Sequence, residues 1–545
     1  MLNGLMMDAP LSIPLIMDYA TAVHPQTRII SAAVEGGVHS YTYAQAYPRI
    51  GQLAHGLVAL GVKPGDRVAT LAWNGYRHFE AYYAIAGIGA VCHTINPRLF
   101  PDQIAYIANH AEDRVLCFDL TFIPLVRALV PRLPAGIKLV LLSDRAHVPA
   151  DHGLDGLLVY EELLAGQPTH YSWPDLPETT ASSLCYTSGT TGEPKGALYS
   201  HRSNVLHSMA SILGAPRCFG DGNRILPVVP LFHVNAWGLP YSAPLSGTDL
   251  VFPGPRLDGA SLFALMDGQG VTNAWGVPTI WGGLLAAMRA EGRKPAALER
   301  VVVGGAAPPR SLIDAFEREF GLCVLHGWGM TETSPIGALT RESSMPTDLD
   351  ARVTAKVSPG QRAYGIDMKI VDDAGSPLPQ DGVAFGELLV RGAYVVSGYY
   401  NNPKATAAAF DAAGWFRTGD VARITPGGDL VIVDRTKDLI KSGGEWISSI
   451  DLENLALACP GVAAAAAIAL PHPKWDQRPI LVVVRAPGSE VEGVQVLAHL
   501  ATGLAKWQVP DDVVFIDALP MTATGKISKL DLRKRFADYR FADTV

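Results

Sequence analysis

The sequence predicts an α/β fold: a large N-terminal domain of two layered α/β subdomains plus a small β-subdomain, followed by a small α+β C-terminal domain. Three observations predict it. Short, continuously apolar strands alternate with helical stretches over two long regions, the pattern of parallel sheets covered on both faces. After about residue 358 the pattern changes to alternating strands and tight turns. Beyond residue 437 roughly 110 residues remain, enough for a unit with its own core. Length and composition agree, since 545 residues make three to four folding units at roughly 150 residues each. A content of 48% hydrophobic and 18% charged residues suits packed interiors and argues against long disorder.

Taken in order, residues 42–60 carry apolar side chains at helical spacing, and the turn GVKPGD then leads into a strand over 67–71. The spacing next predicts a helix at 78–88, a strand at 90–95, a helix at 101–111 and a strand at 114–118. The same grammar returns in the second region, with strands at 248–252, 271–274, 300–303 and 323–325. Alternation then marks strands at 367–371, 386–391 and 429–433. The last section reads as a helix at 449–458, strands at 462–469 and 480–485, a helix at 491–505 and a strand at 512–516. The charged stretch 434–439, DRTKDL, reads as a flexible joint, which divides the chain into domains 1–436 and 437–545.

A net charge of −8 offers no sequence-wide attraction to nucleic acid or anionic membrane. Small molecules or proteins are the expected partners. Six cysteines are too sparse for a disulfide framework and none forms a C-x-x-C pair, so reduced thiols and a cytoplasmic location are expected. The N-terminus has no basic residue before its apolar ones and carries Pro10 and Pro14, a poor signal peptide. The longest uncharged window, 225–248, is broken by four prolines and two glycines; such breakers leave backbone groups that lipid cannot satisfy, so no membrane span is expected.

The most informative run is 186–196, YTSGTTGEPKG, which follows an apolar strand. Its glycines let backbone N–H groups approach an anion, its hydroxyls add donors, and Lys195 adds a positive charge. The order of residues is not that of a Walker A loop, because Lys195 is followed by Gly196.

This run resembles the phosphate loop of the adenylate-forming superfamily, which contains acyl-CoA synthetases, luciferases and peptide-synthetase adenylation domains. Six further blocks follow in that family's order: PLFHVNAWG at 230–238, GGAAPP at 304–309, GWGMTETSP at 327–335, GWFRTGD at 414–420, DRTKDL at 434–439 and PMTATGK at 520–526. Within the family the chain is similar to the short- to long-chain fatty-acyl-CoA synthetases, including 3-methylmercaptopropionyl-CoA ligases. INPRLF at 95–100, YSHRS at 199–203 and SGGEWISS at 442–449 carry that narrower likeness.

The resemblance implies an AMP-forming acid–thiol ligase with ATP, Mg2+ and CoA, acting on a short- to medium-chain carboxylic acid, as a homodimer. It implies that Lys526 enters from a mobile C-terminal domain to hold carboxylate and phosphate oxygens together, assisted by His233 and Thr331. Glu332 is the implied magnesium ligand, with Thr187 as helper. Thr187, Ser188, Gly189, Thr190, Thr191, Gly192 and Lys195 would wrap the phosphates. Gly305, Ala306, Ala307, Trp328 and Gly329 would hold adenine, and Asp420 and Arg435 the ribose. Val234, Asn235, Trp237, Gly304, Gly327 and Met330 would line the acyl pocket, with Trp237 as a gate and Trp275 shortening the cavity. For the thioester step the small domain would rotate about Lys437, bringing in Asp438, Lys441, Gly443, Gly444, Glu445 and Trp446. Trp475 and Arg478 are candidate contacts to nucleotide or pantetheine. The rival readings are a stand-alone enzyme loading a carrier protein, a longer-chain fatty-acyl-CoA ligase, and a catalytically idle nucleotide-binding protein.

Overall fold

The computed structural model describes residues 1–187, 193–443, 445–522 and 526–541. Its first sheet has seven strands in the spatial order Leu158–Val159, Lys138–Leu141, Asp113–Phe118, Arg67–Leu71, Val91–Thr94, Ala181–Tyr186 and Gly196–Ser200. All neighbours are parallel until the last pair, which is antiparallel and brackets the phosphate-loop segment. The strands are buried along most of their length and helices cover them. That burial explains their unbroken apolar composition.

The second sheet runs through thirteen strands and absorbs the region expected as a separate β-subdomain. One long strand, Cys323–Gly329, makes the join. Its first half pairs in parallel with Arg300–Val303, and its second half, Gly327–Gly329, pairs antiparallel with Ile336–Leu339. The antiparallel half then continues through Gly360–Arg362, Asp429–Arg435, Phe416–Ile424, Gly386–Gly392 and Ile366–Val371. The small β-rich part is therefore continuous with the second α/β layer through its hydrogen bonds. It keeps its own apolar cluster around Ile370, Leu388, Val390 and Phe416.

Two strands, Arg28–Ala32 and Val38–Thr42, were not anticipated and close the other edge of this sheet. The C-terminal sheet pairs Glu445–Ile447, Ile440–Ser442, Asp476–Arg485 and Val462–His472, with Asp512–Phe515 added in parallel to Asp476–Arg485. Helix Ser449–Leu457 matches expectation, while the expected helix at 491–505 shortens to Gly493–Leu500. Asp434 and Arg435, read as part of a flexible joint, belong to strand Asp429–Arg435 and pair with Val421 and Asp420. Among the described residues all six cysteines are free, and no helix is long and apolar enough to cross a membrane.

Candidate active site

The parallel strands of the second sheet end beside one another, and the segments leaving them meet the first sheet at a small cavity. His233 and Trp237 follow strand Arg224–Pro227, Val277 follows Asn273–Gly276, and Gly305 follows Arg300–Val303. Asn96 and Arg98, after strand Val91–Thr94, close the opposite side, and Lys526 from the C-terminal segment reaches the same cavity. The edge where strand order switches is where open α/β sheets bind ligands.

The segment carrying His233 and Trp237 is held in an unusual backbone. Val234, Asn235, Ala236 and Trp237 have φ of +48°, +52°, +47° and +57°, and Gly238 follows at +76°. A left-handed run of L-residues costs about 1–2 kcal/mol per residue, so its surroundings must hold it. Asn235 donates to the Ser183 hydroxyl at 3.1 Å and accepts from the Tyr82 hydroxyl at 3.3 Å. Asn74 donates to the carbonyls of Pro227 and Val229 at 2.8 and 2.9 Å and accepts from the Leu231 N–H at 2.6 Å. The result aims Trp237 at Gly304, where a Cβ would come within 2.9 Å of its Cη2 atom. Backbone strain maintained by a polar network marks a functional segment.

Charges around the cavity are unevenly matched. Lys526 makes no ion pair among the described residues, and burial pushes its ammonium down to about 8, with Arg435 and Lys437 lowering it further and Asp420 and Glu332 opposing. His233 is pushed down to about 3 by burial and then by the charge of Lys526, so its imidazole is neutral. Lys195 also lacks an ion pair among the described residues, its ammonium lying 5.1 Å over the Tyr399 ring. Glu332 is buried and its carboxyl is pushed up by that burial, while the Tyr399 hydroxyl and the charges of Lys195 and Arg435 pull it back. Tyr399 donates to Glu332 Oε1 at 2.7 Å. Buried cations without anions are costly unless a bound ligand supplies the counter-charge.

A second group lies toward the antiparallel half of the sheet. The Trp328 indole donates to Asp420 Oδ2 at 2.8 Å, and Arg435 Nε lies 3.4 Å from Asp420 Oδ1. Thr331 is buried, and its carbonyl accepts from the Tyr199 hydroxyl at 2.6 Å. Gly329 leaves no room for a side chain, since a Cβ there would overlap the Pro335 carbonyl oxygen. Ala306 and Ala307 are exposed just beyond Gly305, and Thr187 exchanges hydrogen bonds with the Lys195 backbone at 2.9 and 3.3 Å.

Other expected residues fall elsewhere. Val234 and Asn235 point into the protein and hold the strained turn rather than lining the cavity. Gly304 sits against Trp237 and the Gly327 carbonyl, Gly327 faces Leu339, and Met330 packs with the β-rich cluster. Trp275 is fully buried 6.4 Å behind Trp237, donating to Asn273. Arg478 is not available to a ligand, because its guanidinium is used by Asp511, Ser442 and the carbonyls of Trp507 and Val509. Gly443 turns the hairpin between Ile440–Ser442 and Glu445–Ile447, beside exposed Trp446 and Trp475. Lys441 lies 5.5 Å from the Trp446 ring, Glu445 is exposed, and Asp438 is paired with Arg533 at 2.9 Å. Ser188, Gly189, Thr190, Thr191, Gly192 and Gly444 lie outside the described residues. Tyr399, Asn74, Tyr82 and Arg98 were missed as site residues. Only the clustering of aromatic and polar residues in VSGYYNNP at 396–403 hinted at Tyr399.

Lys526, with no ion pair among the described residues and with buried Glu332 and Asp420 acting on its charge, makes this cavity suited to anionic ligands. The chain belongs to the AMP-binding enzyme family, matching it over residues 18–400, with the family's C-terminal domain at 451–526. It is an acid–thiol ligase that works through an acyl-AMP intermediate. It is 49% identical over 541 residues to the 3-methylmercaptopropionyl-CoA ligase of Ruegeria pomeroyi, covering 98% of this chain and 99% of that protein. Over 537 residues it is 46% identical to the medium-chain-fatty-acid–CoA ligase of Ectopseudomonas oleovorans, covering 98% of each. ATP-bound MatB from Rhodopseudomonas palustris shares the fold with a TM-score of 0.84 at 26% identity, over 97% of this chain and 99% of that one.

Proposed function

We propose that this ligase converts a short- to medium-chain carboxylic acid, with 3-methylmercaptopropionate a leading candidate, to its CoA thioester. The observation that carries this reading is the largely buried ammonium of Lys526, without an anionic partner among the described residues, facing the same cavity as His233 and Trp237. A carboxylate attacking the α-phosphate of ATP brings two anions together, so the barrier is chiefly electrostatic. Lys526 would neutralise the crowded oxygens, Lys195 and the loop at 187–195 would take the pyrophosphate, and neutral His233 would orient the acid by a hydrogen bond. Asp420 and Arg435 would fix the ribose, with the Gly305–Ala306–Ala307 edge and Trp328 holding adenine.

Glu332 fits a magnesium site. Tyr399 occupies one of its oxygens, leaving the other for a cation, and the described residues hold no cluster of three or more acidic, His or Cys ligands. A single protein carboxylate with phosphate oxygens and water is how magnesium usually binds beside nucleotides. Bound there, the ion would offset phosphate charge, with Thr187 as the second candidate donor.

The cavity measures about 40 Å³, room for about three waters at roughly 10–15 Å³ each and too little for an acyl chain. An acyl chain therefore needs Trp237 to move, which is the gate role expected for it. Apolar Val277, Ile280 and Leu257 would then flank the chain. For the second half-reaction the C-terminal domain, residues 437–545, would turn about Lys437, withdraw Lys526 and bring the Lys441–Trp446 hairpin to the CoA thiol. Exposed Arg98 at the cavity rim, with no ion pair among the described residues, is suited to a CoA phosphate. A cytoplasmic homodimer remains our expectation, supported by the free thiols and by the exposed apolar residues Leu15, Tyr19 and Val23 of helix Ile13–Val23.

The test is CoA-dependent AMP release across acids from acetate to decanoate, with branched, aromatic and methylthio acids included. Turnover should peak among acids of about three to eight chain atoms. A preference for acids longer than decanoate, or transfer only to a carrier-protein pantetheine, would overturn the assignment.

A further inference from the structure

Trp328 and Asp420 come from strands that are not neighbours. Asp429–Arg435, Gly360–Arg362 and Ile336–Leu339 lie between Cys323–Gly329 and Phe416–Ile424 in the sheet. The sheet nevertheless brings the two together, and the indole N–H donates to Asp420 Oδ2 at 2.8 Å. The indole itself is locked from behind, because Gly337 offers bare backbone where the six-membered ring lies and a Cβ there would overlap its Cε3 and Cζ3 atoms. An aspartate carboxylate rotates softly about χ2, but here Trp328 holds Oδ2 by a hydrogen bond, and the half-exposed Arg435 guanidinium lies 3.4 Å from Oδ1 as an ion pair. Each oxygen offers about two acceptor sites, so Oδ2 keeps one beside the indole and Oδ1 keeps both, in a plane set by the indole. That is the pattern two vicinal hydroxyls require.

We propose that Trp328 is a positioning residue whose indole N–H fixes the Asp420 carboxylate and thereby sets the enzyme's preference for a ribonucleotide over a deoxyribonucleotide. The inference rests on the reading of Asp420 as the ribose partner and goes beyond a stacking role for Trp328. Phenylalanine at 328 would keep a ring against Gly337 but place no donor at this edge, whereas tyrosine keeps a ring and carries its own O–H donor. With the carboxylate free to rotate, the second hydroxyl would lose its aligned acceptor, while a nucleotide lacking that hydroxyl would lose little.

The experiment compares kcat/KM for ATP and 2′-deoxy-ATP in ATP–pyrophosphate exchange, using wild type, W328F, W328Y and D420A. W328F should lose about tenfold or more with ATP, the scale of one hydrogen bond to a charged group, and less than about twofold with 2′-deoxy-ATP, with W328Y falling between wild type and W328F. The loss should appear in KM more than in kcat. Each ratio compares two nucleotides on one preparation, so partial unfolding cancels. Equal losses on both nucleotides, the result expected of a purely structural or stacking role, would overturn the proposal. So would an unchanged preference in both Trp328 variants while D420A loses it. A D420A enzyme that keeps the full preference would instead remove Asp420 from the ribose site and the proposal with it.

Discussion

At the scale of single residues, Lys526 shows how burial tunes the cation we propose for catalysis. Its ammonium titrates near 8 because desolvation outweighs the attraction of Asp420 and Glu332. In the proposed role the charged form would meet carboxylate and phosphate, and a lowered lysine pKa means that this form is lost as pH rises. ATP–pyrophosphate exchange, read as kcat/KM, should therefore be level below about pH 7 and fall toward tenfold per pH unit above about 8.5. Lys526→Arg, whose guanidinium does not titrate in this range, should be slower but level from pH 7.5 to 9.5. A wild-type profile that stays level to pH 9.5 would detach the lysine from the rate. Tyr399 acts at the same scale, its hydroxyl on Glu332 and its ring beneath Lys195.

At the scale of elements, the left-handed turn from Val234 to Gly238 carries the strain. Asn235 is fully buried and bonded to residues from three other elements, Ser183, Tyr82 and Asn204. Asn235→Ala removes those bonds and leaves the Ser183 hydroxyl without that donor. We expect a loss of about 2–3 kcal/mol, by analogy with other buried polar deletions. Urea unfolding measures this, and a loss below about 0.5 kcal/mol, the level of an ordinary surface substitution, would mean that the turn is held by other contacts. The Gly443 hairpin is constrained differently. Its φ is +61° and a Cβ would come within 2.9 Å of the Trp475 ring, so a side chain at 443 would disturb the hairpin before it met any ligand.

At the scale of the whole molecule, the C-terminal segment is captured with Lys526 in the cavity and the Gly443 hairpin in its own sheet. Two half-reactions with different needs, charge neutralisation first and thiol access second, are best served by two placements of one domain. Lys526→Ala should then lower adenylate formation by at least about 100-fold, the scale of a lost electrostatic stabiliser. The same variant should retain most thioester formation when acyl-AMP is supplied. Rapid-quench measurement of each half-reaction separates the two, and equal losses in both would argue for a single working pose. Asp434 sits at the joint, accepting from the Ser449 N–H at 2.6 Å and its hydroxyl at 3.0 Å. Those bonds tie the end of strand Asp429–Arg435 to helix Ser449–Leu457.

Helix and strand alternation, the glycine-rich loop and the ordered blocks ending at Lys526 were all legible in the chain itself. They depend on side-chain periodicity and on residues close in sequence. By itself the sequence thus determined the fold class and the chemistry of a ligase that adenylates its acid. Tertiary structure alone decided that the β-rich region fuses into a thirteen-stranded sheet, that Arg478 is consumed internally, and that Asn235 supports the site from behind. It alone joined Tyr399 to Glu332 across 67 positions and Trp328 to Asp420 across 92. Such pairs leave no local period, because they form only when distant strands pack side by side and bring a donor within about 3 Å of its acceptor.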